Sequence, residues 1–244
     1  MAQKSVLNII REVAPRLGIQ RPNTATGSTD VQVQQLLSLL NEEGQELAAR
    51  HDWEKLTKEK TFTTIAAEDQ GLLVGGTILA TTDGFDHILN DTMWDRTTEY
   101  ELRPTAAQRW QADKATTTVG PYSRFRIRQG RLYMLPAPAA GLTVAFEYKT
   151  ENWVQNAAGD EFSTEFTDDT DLPLLDSRLL TLGLKWRWRA AKRLSYAEDF
   201  QAYELAVADA MTRDGQKQPA SLNGPDYGGN FEPYIVVPSG DWDQ

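Results

Sequence analysis

The sequence predicts an α+β fold in which a discontinuous four-helix domain carries an inserted β-rich domain and is followed by an extended C-terminal arm. Three observations support this prediction. Apolar residues recur at helical spacing in two separate regions, β-branched residues alternate between these regions, and prolines and glycines interrupt the end of the chain. The predicted ranges are 1–54 and 170–215 for the helical domain, 55–169 for the β-rich domain and 216–244 for the arm.

Two helices are predicted in the first part of the helical domain. Apolar residues recur every three or four positions in residues 3–17, where Pro15 breaks the final turn and Gly18 ends the helix. A second helix begins at a cap formed by Thr29 or Asp30 and continues to about Arg50.

The β-rich domain begins where the chain becomes rich in threonine. Residues 61–67 (TFTTIAA) alternate as a half-buried strand does, and residues 142–150 form a second alternating strand. The strongest signal is the hairpin at 124–135, in which Gln129 and Gly130 form a tight turn. Shorter elements are expected at Leu72–Val74, Thr77–Ala80 and Thr105–Ala115.

The segment Asp168–Leu194 is predicted to form one long helix. Carboxylates lie at its start, Pro173 occupies the first turn, and arginines and lysines fill its second half, as the helix dipole favours. Trp186 and Trp188 are about 200° apart around the helix axis, so their rings contact different neighbours. A helix held from two sides suggests a part in an assembly. The last helix is expected at Tyr196–Arg213.

Residues 216–244 combine prolines and glycines with large apolar side chains. A disordered tail is usually poor in such side chains. We therefore expect an extended arm that buries them on another surface, on a partner chain rather than on its own subunit. The sequence YIVV at 234–237, between Pro233 and Pro238, is its strand-like core.

Composition excludes several classes of function. The chain has no cysteine, which excludes disulfides, thiolate metal sites and a cysteine nucleophile. The net charge of −10 argues against a general clamp for polyanions, whereas an acidic surface suits a passage through which DNA slides without sticking. Charged residues interrupt the first twenty positions and apolar runs are short, so neither a signal peptide nor a membrane span is expected.

Sequence signatures of catalysis are missing. The glycine motifs of nucleotide-binding proteins and hydrolases do not occur, and His51 and His87 are interpreted as structural. The acidic run 160–171 lacks the glycine and glutamate of an EF-hand loop. Glu42 and Glu46 share one helix face, whereas the two carboxylates of a glycosidase face each other across a cleft. No catalytic, cofactor-binding or metal-binding residue is predicted.

The basic end of the long helix admits two interpretations. Arg187, Arg189 and Arg193 beside two tryptophans resemble a surface that stacks nucleic-acid bases. In so acidic a chain we favour arginines that bind carboxylates within or between subunits, with tryptophans that fill cores or seams.

Three stretches together resemble the head-to-tail adaptors of short-tailed bacteriophages, the tail tubular protein A group. They are RHDWEKL at 50–56, TTDGFDHILNDTMWDR at 81–96, and LLDSRLLTLGLKWRWRAAKRLSYAEDFQAYE at 174–204. The third stretch is the most specific. In the second, Thr81, Thr82 and Gly84 replace the residues that usually precede the aspartate and phenylalanine of the family.

The resemblance implies a structural virion protein without enzymatic activity or cofactor. Such adaptors form a ring, typically a dodecamer, that joins the portal to the tail nozzle and extends the channel through which double-stranded DNA is ejected. The implied location is the tail or neck of the virion, after assembly in the host cytoplasm. The candidates for ring contacts are Trp186, Arg187, Trp188 and Arg189. The candidates for portal docking are Tyr227, Phe231, Tyr234, Ile235, Val236, Val237 and Trp242.

Two alternative functions stay open at this point. One is a tail enzyme that degrades peptidoglycan, an activity credited to some adaptors of short-tailed phages. The other is a tail-tube or receptor-binding protein whose β-rich domain contacts glycans through Tyr122, Tyr133 or Trp153.

Overall fold

The computed structural model describes residues 3–89, 92–116 and 122–215. Within these residues the protein is a mixture of helices and antiparallel sheets, which confirms the predicted α+β class. The candidate portal-docking residues, from Tyr227 to Trp242, lie outside the described residues.

Five α-helices form within the described ranges, and polar side chains cap three of them. Ser5, Asp30 and Asp176 each accept a hydrogen bond from a backbone N–H in the first turn, which satisfies one of the unpaired donors there. The α-helices are α1 (Val6–Val13), α2 (Val31–Arg50), α3 (Ala107–Ala115), α4 (Ser177–Ala191) and α5 (Ala197–Arg213). Helix α4 packs against α1, α2 and α5 and is therefore the centre of the helical region.

The first predicted helix changes type where the sequence predicts a break. After Val13 the chain continues as a 3₁₀ turn over Ala14–Leu17, with Pro15 inside it. Gly18 then adopts a left-handed conformation with φ of 75° and ends the turn.

The predicted long helix at 168–194 is wrong at its start, because α4 begins only at Ser177. Leu172 and Pro173 instead form a short strand that pairs with residues 154–155. Two of the acidic residues before it accept hydrogen bonds from backbone N–H groups of loops. Asp169 accepts from Ala25 and Thr26, and Asp171 accepts from Thr167 and Asp168. These carboxylates are turn-forming residues, which Asp also favours, and not the acidic start of a helix.

The strands in the described part of the chain form three antiparallel sheets. The strands are β1 (Thr57–Thr63), β2 (Asp69–Leu72), β3 (Phe85–Ile88), β4 (Trp94–Asp95), β5 (Tyr100–Glu101), β6 (Arg124–Arg128), β7 (Arg131–Leu135), β8 (Thr143–Thr150), β9 (Val154–Gln155), β10 (Phe162–Ser163) and β11 (Leu172–Pro173). The largest sheet has the order β1-β8-β4-β5, with β3 also paired to β8. The two smaller sheets have the orders β2-β7-β6 and β10-β9-β11.

The predicted hairpin is formed by β6 and β7. Its turn residues Gln129 and Gly130 both have positive φ, of 52° and 69°, as a two-residue turn with the twist of its strands requires. Of the shorter elements, the helix near 105–115 forms as α3, whereas Thr77–Ala80 contributes only an isolated bridge between Leu79 and Val74.

Buried apolar side chains form two clusters. One joins the β1–β8 sheet to the β6–β7 hairpin and contains Val144, Phe146 and Tyr148 of β8. The other fills the space between α1, α2, α4 and α5. This helical cluster also contains Trp153 and Phe166, which lie in the segment predicted as β-rich, so the sequence ranges and the packed clusters differ at that border.

Candidate functional site

The candidate site is the region where α2, α4 and α5 meet, because it contains all four predicted ring-contact residues. Two glycines, Gly44 and Gly183, leave room for large side chains to pack directly against the helix backbone. A methyl group at Gly44 of α2 would overlap the indole ring of Trp153, and one at Gly183 of α4 would overlap the carboxylate of Glu43. Both positions are therefore occupied from the other side by a large side chain.

Arg187 binds three glutamates of α2. Its guanidinium donates to Glu43 through Nε, to Glu42 through Nη1 at 2.5 Å, and to Glu46 through Nη2. Glu43 is fully buried, and the Arg187 side chain is only 7% exposed. The planar guanidinium presents its donors in a fixed fork, which matches several carboxylates at once. The spacing of 42, 43 and 46 on one helix face lets all three converge on this fork.

Burial dominates the protonation of Glu43. Removal from water raises the pKa of its carboxyl group, although the adjacent Arg187 guanidinium and Tyr203 hydroxyl act in the opposite direction. Burial likewise raises the pKa of the Tyr203 hydroxyl, and the adjacent Glu43 adds to this effect. Oε1 of Glu43 and the Tyr203 hydroxyl are buried, and neither forms a hydrogen bond with any described residue. The cluster is therefore held by Arg187 more than by a complete polar network.

A second ionic cluster joins α4 to α5. Lys185 Nζ and Arg189 Nη1 each lie 2.7 Å from a different carboxylate oxygen of Asp199. Asp199 lies in the first turn of α5, where the helix dipole favours a negative charge. The Arg189 side chain is 35% exposed, whereas the Arg187 side chain is buried.

The two tryptophans contact different neighbours, as their angular separation predicts. Trp188 is buried in the helical cluster, with the Lys192 ammonium 4.6 Å from its ring centre. Trp186 is half-buried and packs against α5, with its ring centre 5.1 Å from that of Phe200 and 6.0 Å from that of Tyr203. Both rings are thus engaged by their own chain, and a contact with a neighbouring subunit stays a prediction.

A further charged group lies at the C-terminal end of α2, and the sequence analysis did not identify it. Lys149 of β8 is almost fully buried, with its ammonium 3.2 Å from Asp52 and 3.8 Å from Asp86. His87 contacts the same two carboxylates at 3.4 and 3.2 Å. The alternation of β8 gave no signal for it, because a lysine in a strand usually points to solvent.

These clusters are ion pairs between elements of one chain. Among the residues that the structure describes, no group of three or more histidine, cysteine or acidic side chains is arranged to hold a metal ion. In the same residues, no helix is long and apolar enough to cross a membrane. The buried carboxylate Glu43 is neutralised by an arginine and packed under a helix, so it does not face a cleft in which a substrate could bind.

Fold and site together define an α+β protein in which ionic clusters hold helices of the same chain together. The sequence profile of the SU10 adaptor protein family matches residues 4–226, nearly the whole chain. The chain therefore belongs to the SU10 adaptor protein family, a family of phage head-tail adaptors, and is a structural virion component. A search among curated proteins finds no match.

Proposed function

We propose that this adaptor forms a ring that joins the portal to the tail nozzle and extends the channel for DNA ejection. The supporting observation is the family match over residues 4–226, which includes the helices, the sheets and the first part of the C-terminal arm. The proposed partners are the portal protein, the tail nozzle protein and further copies of the same chain. We also propose the closer likeness to the tail tubular protein A group and a dodecameric ring.

The charge of the chain supports a passage for DNA rather than a binding site for it. The 35 acidic residues exceed the 25 lysines and arginines, and two arginines of α4 are paired with acidic side chains, Arg187 with Glu42, Glu43 and Glu46 and Arg189 with Asp199. Double-stranded DNA binds through many phosphate contacts. With these arginines already paired, we propose that DNA passes through the ring without specific binding.

The four ring-contact candidates take different roles in this proposal. Arg187 and Trp188 are covered by their own chain and fix the position of α4. Trp186 and Arg189 retain exposed surface and are the two that we propose to touch a neighbouring subunit directly. The proposal that the arm docks on the portal rests on its sequence alone.

Light scattering tests this proposal. We expect a monomer or weak oligomer in isolation, because the surface is acidic and copies repel each other, and an increase in mass when a purified portal ring is added. An unchanged mass on addition of portal would contradict the proposal. A turbidity assay on purified cell walls separates it from the peptidoglycan-degrading alternative, since an adaptor without that activity leaves the turbidity constant.

A further inference from the structure

The outer face of the β6–β7 hairpin carries four arginines. Phe125, Leu132 and Met134 point into the core, so the alternate residues of both strands share the opposite face. This surface, which we call the arginine face, consists of Arg124, Arg126, Arg128, Arg131 and Tyr133. Alternate residues of a strand are about 6.7 Å apart, so the guanidinium groups form a dense positive patch on a chain with a net charge of −10.

Half of these positive charges are neutralised within the chain. Arg131 lies 2.8 Å from Asp69, and Arg124 lies 3.5 Å from Asp113. Neither Arg126 nor Arg128 forms an ion pair with any residue that the structure describes. The guanidinium of Arg128 stacks on the Tyr133 ring at 4.7 Å, which orients it and leaves its N–H groups free to bind a carboxylate.

A second surface of the same chain has the opposite charge. Residues 150–177 contain eight acidic residues and no lysine or arginine. We call the part of it that follows β9, residues 156–168, the acidic segment; β10 and the turns around it lie there. Its exposed carboxylates, which form no ion pair among the described residues, are Asp160, Glu161, Glu165 and Asp168.

We propose that the arginine face of one copy docks on the acidic segment of a second copy. The proposal rests on the ring proposed above and names one of its contacts. The two surfaces belong to different sheets. In a ring this contact is head-to-tail, with the arginine face of each copy on the acidic segment of the next, and contacts of this type close into rings when the rotation between copies allows it. Paired opposite charges also fix the register of such an interface and exclude other arrangements.

Duplex DNA fits the arginine face less well than an acidic protein surface does. Binding to DNA strengthens with each phosphate that is neutralised, and only Arg126 and Arg128 are unpaired on this face. The remaining surface of an acidic chain repels a polyanion approaching along its length. A short acidic segment can be bound through a few contacts, and the guanidinium groups of Arg126 and Arg128 provide them.

Cross-linking between copies tests the contact, because the natural chain has no cysteine. Chains with Arg128→Cys and with Glu161→Cys are mixed, added to portal rings and treated with a short bis-maleimide linker. We expect a cross-linked dimer that contains one chain of each kind. A chain with Gln32→Cys, an exposed position on α2, replaces the Arg128→Cys chain in the control and is expected to give no such product.

Charge reversal provides the second measurement. The chain with Arg126→Glu and Arg128→Glu is expected to assemble at least tenfold less well, and adding Asp160→Arg and Glu161→Arg to that chain is expected to restore assembly. If wild-type rings form but show no cross-link and no effect of the reversal, this contact is wrong while the ring stands. If wild type does not assemble even with portal, the ring proposal fails as well. Salt-sensitive binding of duplex DNA that the reversal abolishes would instead identify the face as a nucleic-acid surface.

Discussion

At the scale of single residues, Arg187 determines whether α2 and α4 can pack. Glu43 is fully buried beneath Gly183, and a buried carboxylate is costly unless a cation or a proton neutralises it. Arg187 supplies that cation from the next helix and reaches Glu42 and Glu46 with its remaining donors. The Arg187–Glu43 ion pair therefore allows α2 and α4 to pack closely. Its net contribution to the free energy of folding is small, because desolvation of the two charges offsets their attraction.

Replacing Arg187 with methionine leaves Glu43 buried without a counter-ion. We expect the free energy of unfolding to fall by about 3–5 kcal/mol, the usual cost of breaking a buried ion pair from one side. Arg189→Met is the matched control, because Arg189 is on the same helix but is 35% exposed, and an exposed pair contributes roughly 0–1 kcal/mol. Urea denaturation measures both variants. Equal losses in the two would show that Arg187 has no special role.

The pKa shifts predict opposite pH dependences at two acidic residues. Burial raises the pKa of Glu43 above its ordinary value of 4.5, so the folded chain holds that proton more tightly than the unfolded chain does. The contribution of Glu43 to stability therefore decreases as pH rises from 4.5 through the raised pKa. Compared with a Glu43→Gln variant, wild type should lose stability over this range.

Asp169 is the counterpart with the opposite sign. Burial opposes its ionisation, but hydrogen bonds from the Thr24 side chain and from the N–H groups of Thr26 and Ala25 outweigh it and lower its pKa below 3.8. Its contribution to stability is present above 3.8 and is lost as pH falls through the lowered pKa. Thermal melts of wild type, Glu43→Gln and Asp169→Asn between pH 3 and 7 compare the two. Parallel curves for all three chains would contradict both assignments.

At the scale of elements, local signals determined the helix ends that the sequence predicts well. Asp30 caps α2, Gly18 ends the first helical segment, and Gln129 with Gly130 closes the hairpin. Each of these signals acts within a few residues of its own position. The start of α4 was not predictable in this way, because Pro173 is drawn into a strand by its pairing with Val154.

The side chains packed against Gly44 and Gly183 predict the effect of adding methyl groups at these positions. Alanine favours helices over glycine by about 1 kcal/mol, yet Gly44→Ala and Gly183→Ala place that methyl group into Trp153 and Glu43. Overlap with a packed side chain costs about 1–3 kcal/mol, so we expect both variants to be less stable than wild type. Gly27→Ala is the control, since its methyl group would meet only Thr24 at 3.4 Å. A stabilised Gly44→Ala or Gly183→Ala chain in thermal melts would contradict the packing described here.

At the scale of the whole molecule, the class of fold and the general assignment to phage head-tail adaptors could both be predicted from the sequence, because periodic helices and the stretch at 174–204 carry signals for them. The closer likeness to the tail tubular protein A group stays a prediction. The short strands β4, β5, β9, β10 and β11 could not be predicted, since two-residue strands exist only through partners elsewhere in the chain. The role of Glu43 could not be predicted either, because its burial depends on α4, which lies far away in the sequence. Sequence reasoning expected an arginine bound to carboxylates but could not identify which of them is buried.

Removal of the arm separates folding from docking. Deleting residues 216–244 should leave the melting temperature unchanged, because we expect the arm to bury its apolar side chains on a partner chain rather than on its own subunit. The shortened chain should no longer bind portal, since the proposed anchors from Tyr227 to Trp242 are removed. Unfolding or aggregation of this chain would assign the arm to the core of its own subunit. Full binding to portal would assign docking to the helical region.

Particle images of purified adaptor mixed with portal rings test the central claim most directly. We expect particles in which a second ring lies beneath the portal on the same axis, with an open channel through both. The chain without residues 216–244 serves as the control and should leave the portal ring bare. Portal particles without additional density at any adaptor concentration, or adaptor bound only at the outer side of the portal, would contradict the proposed function.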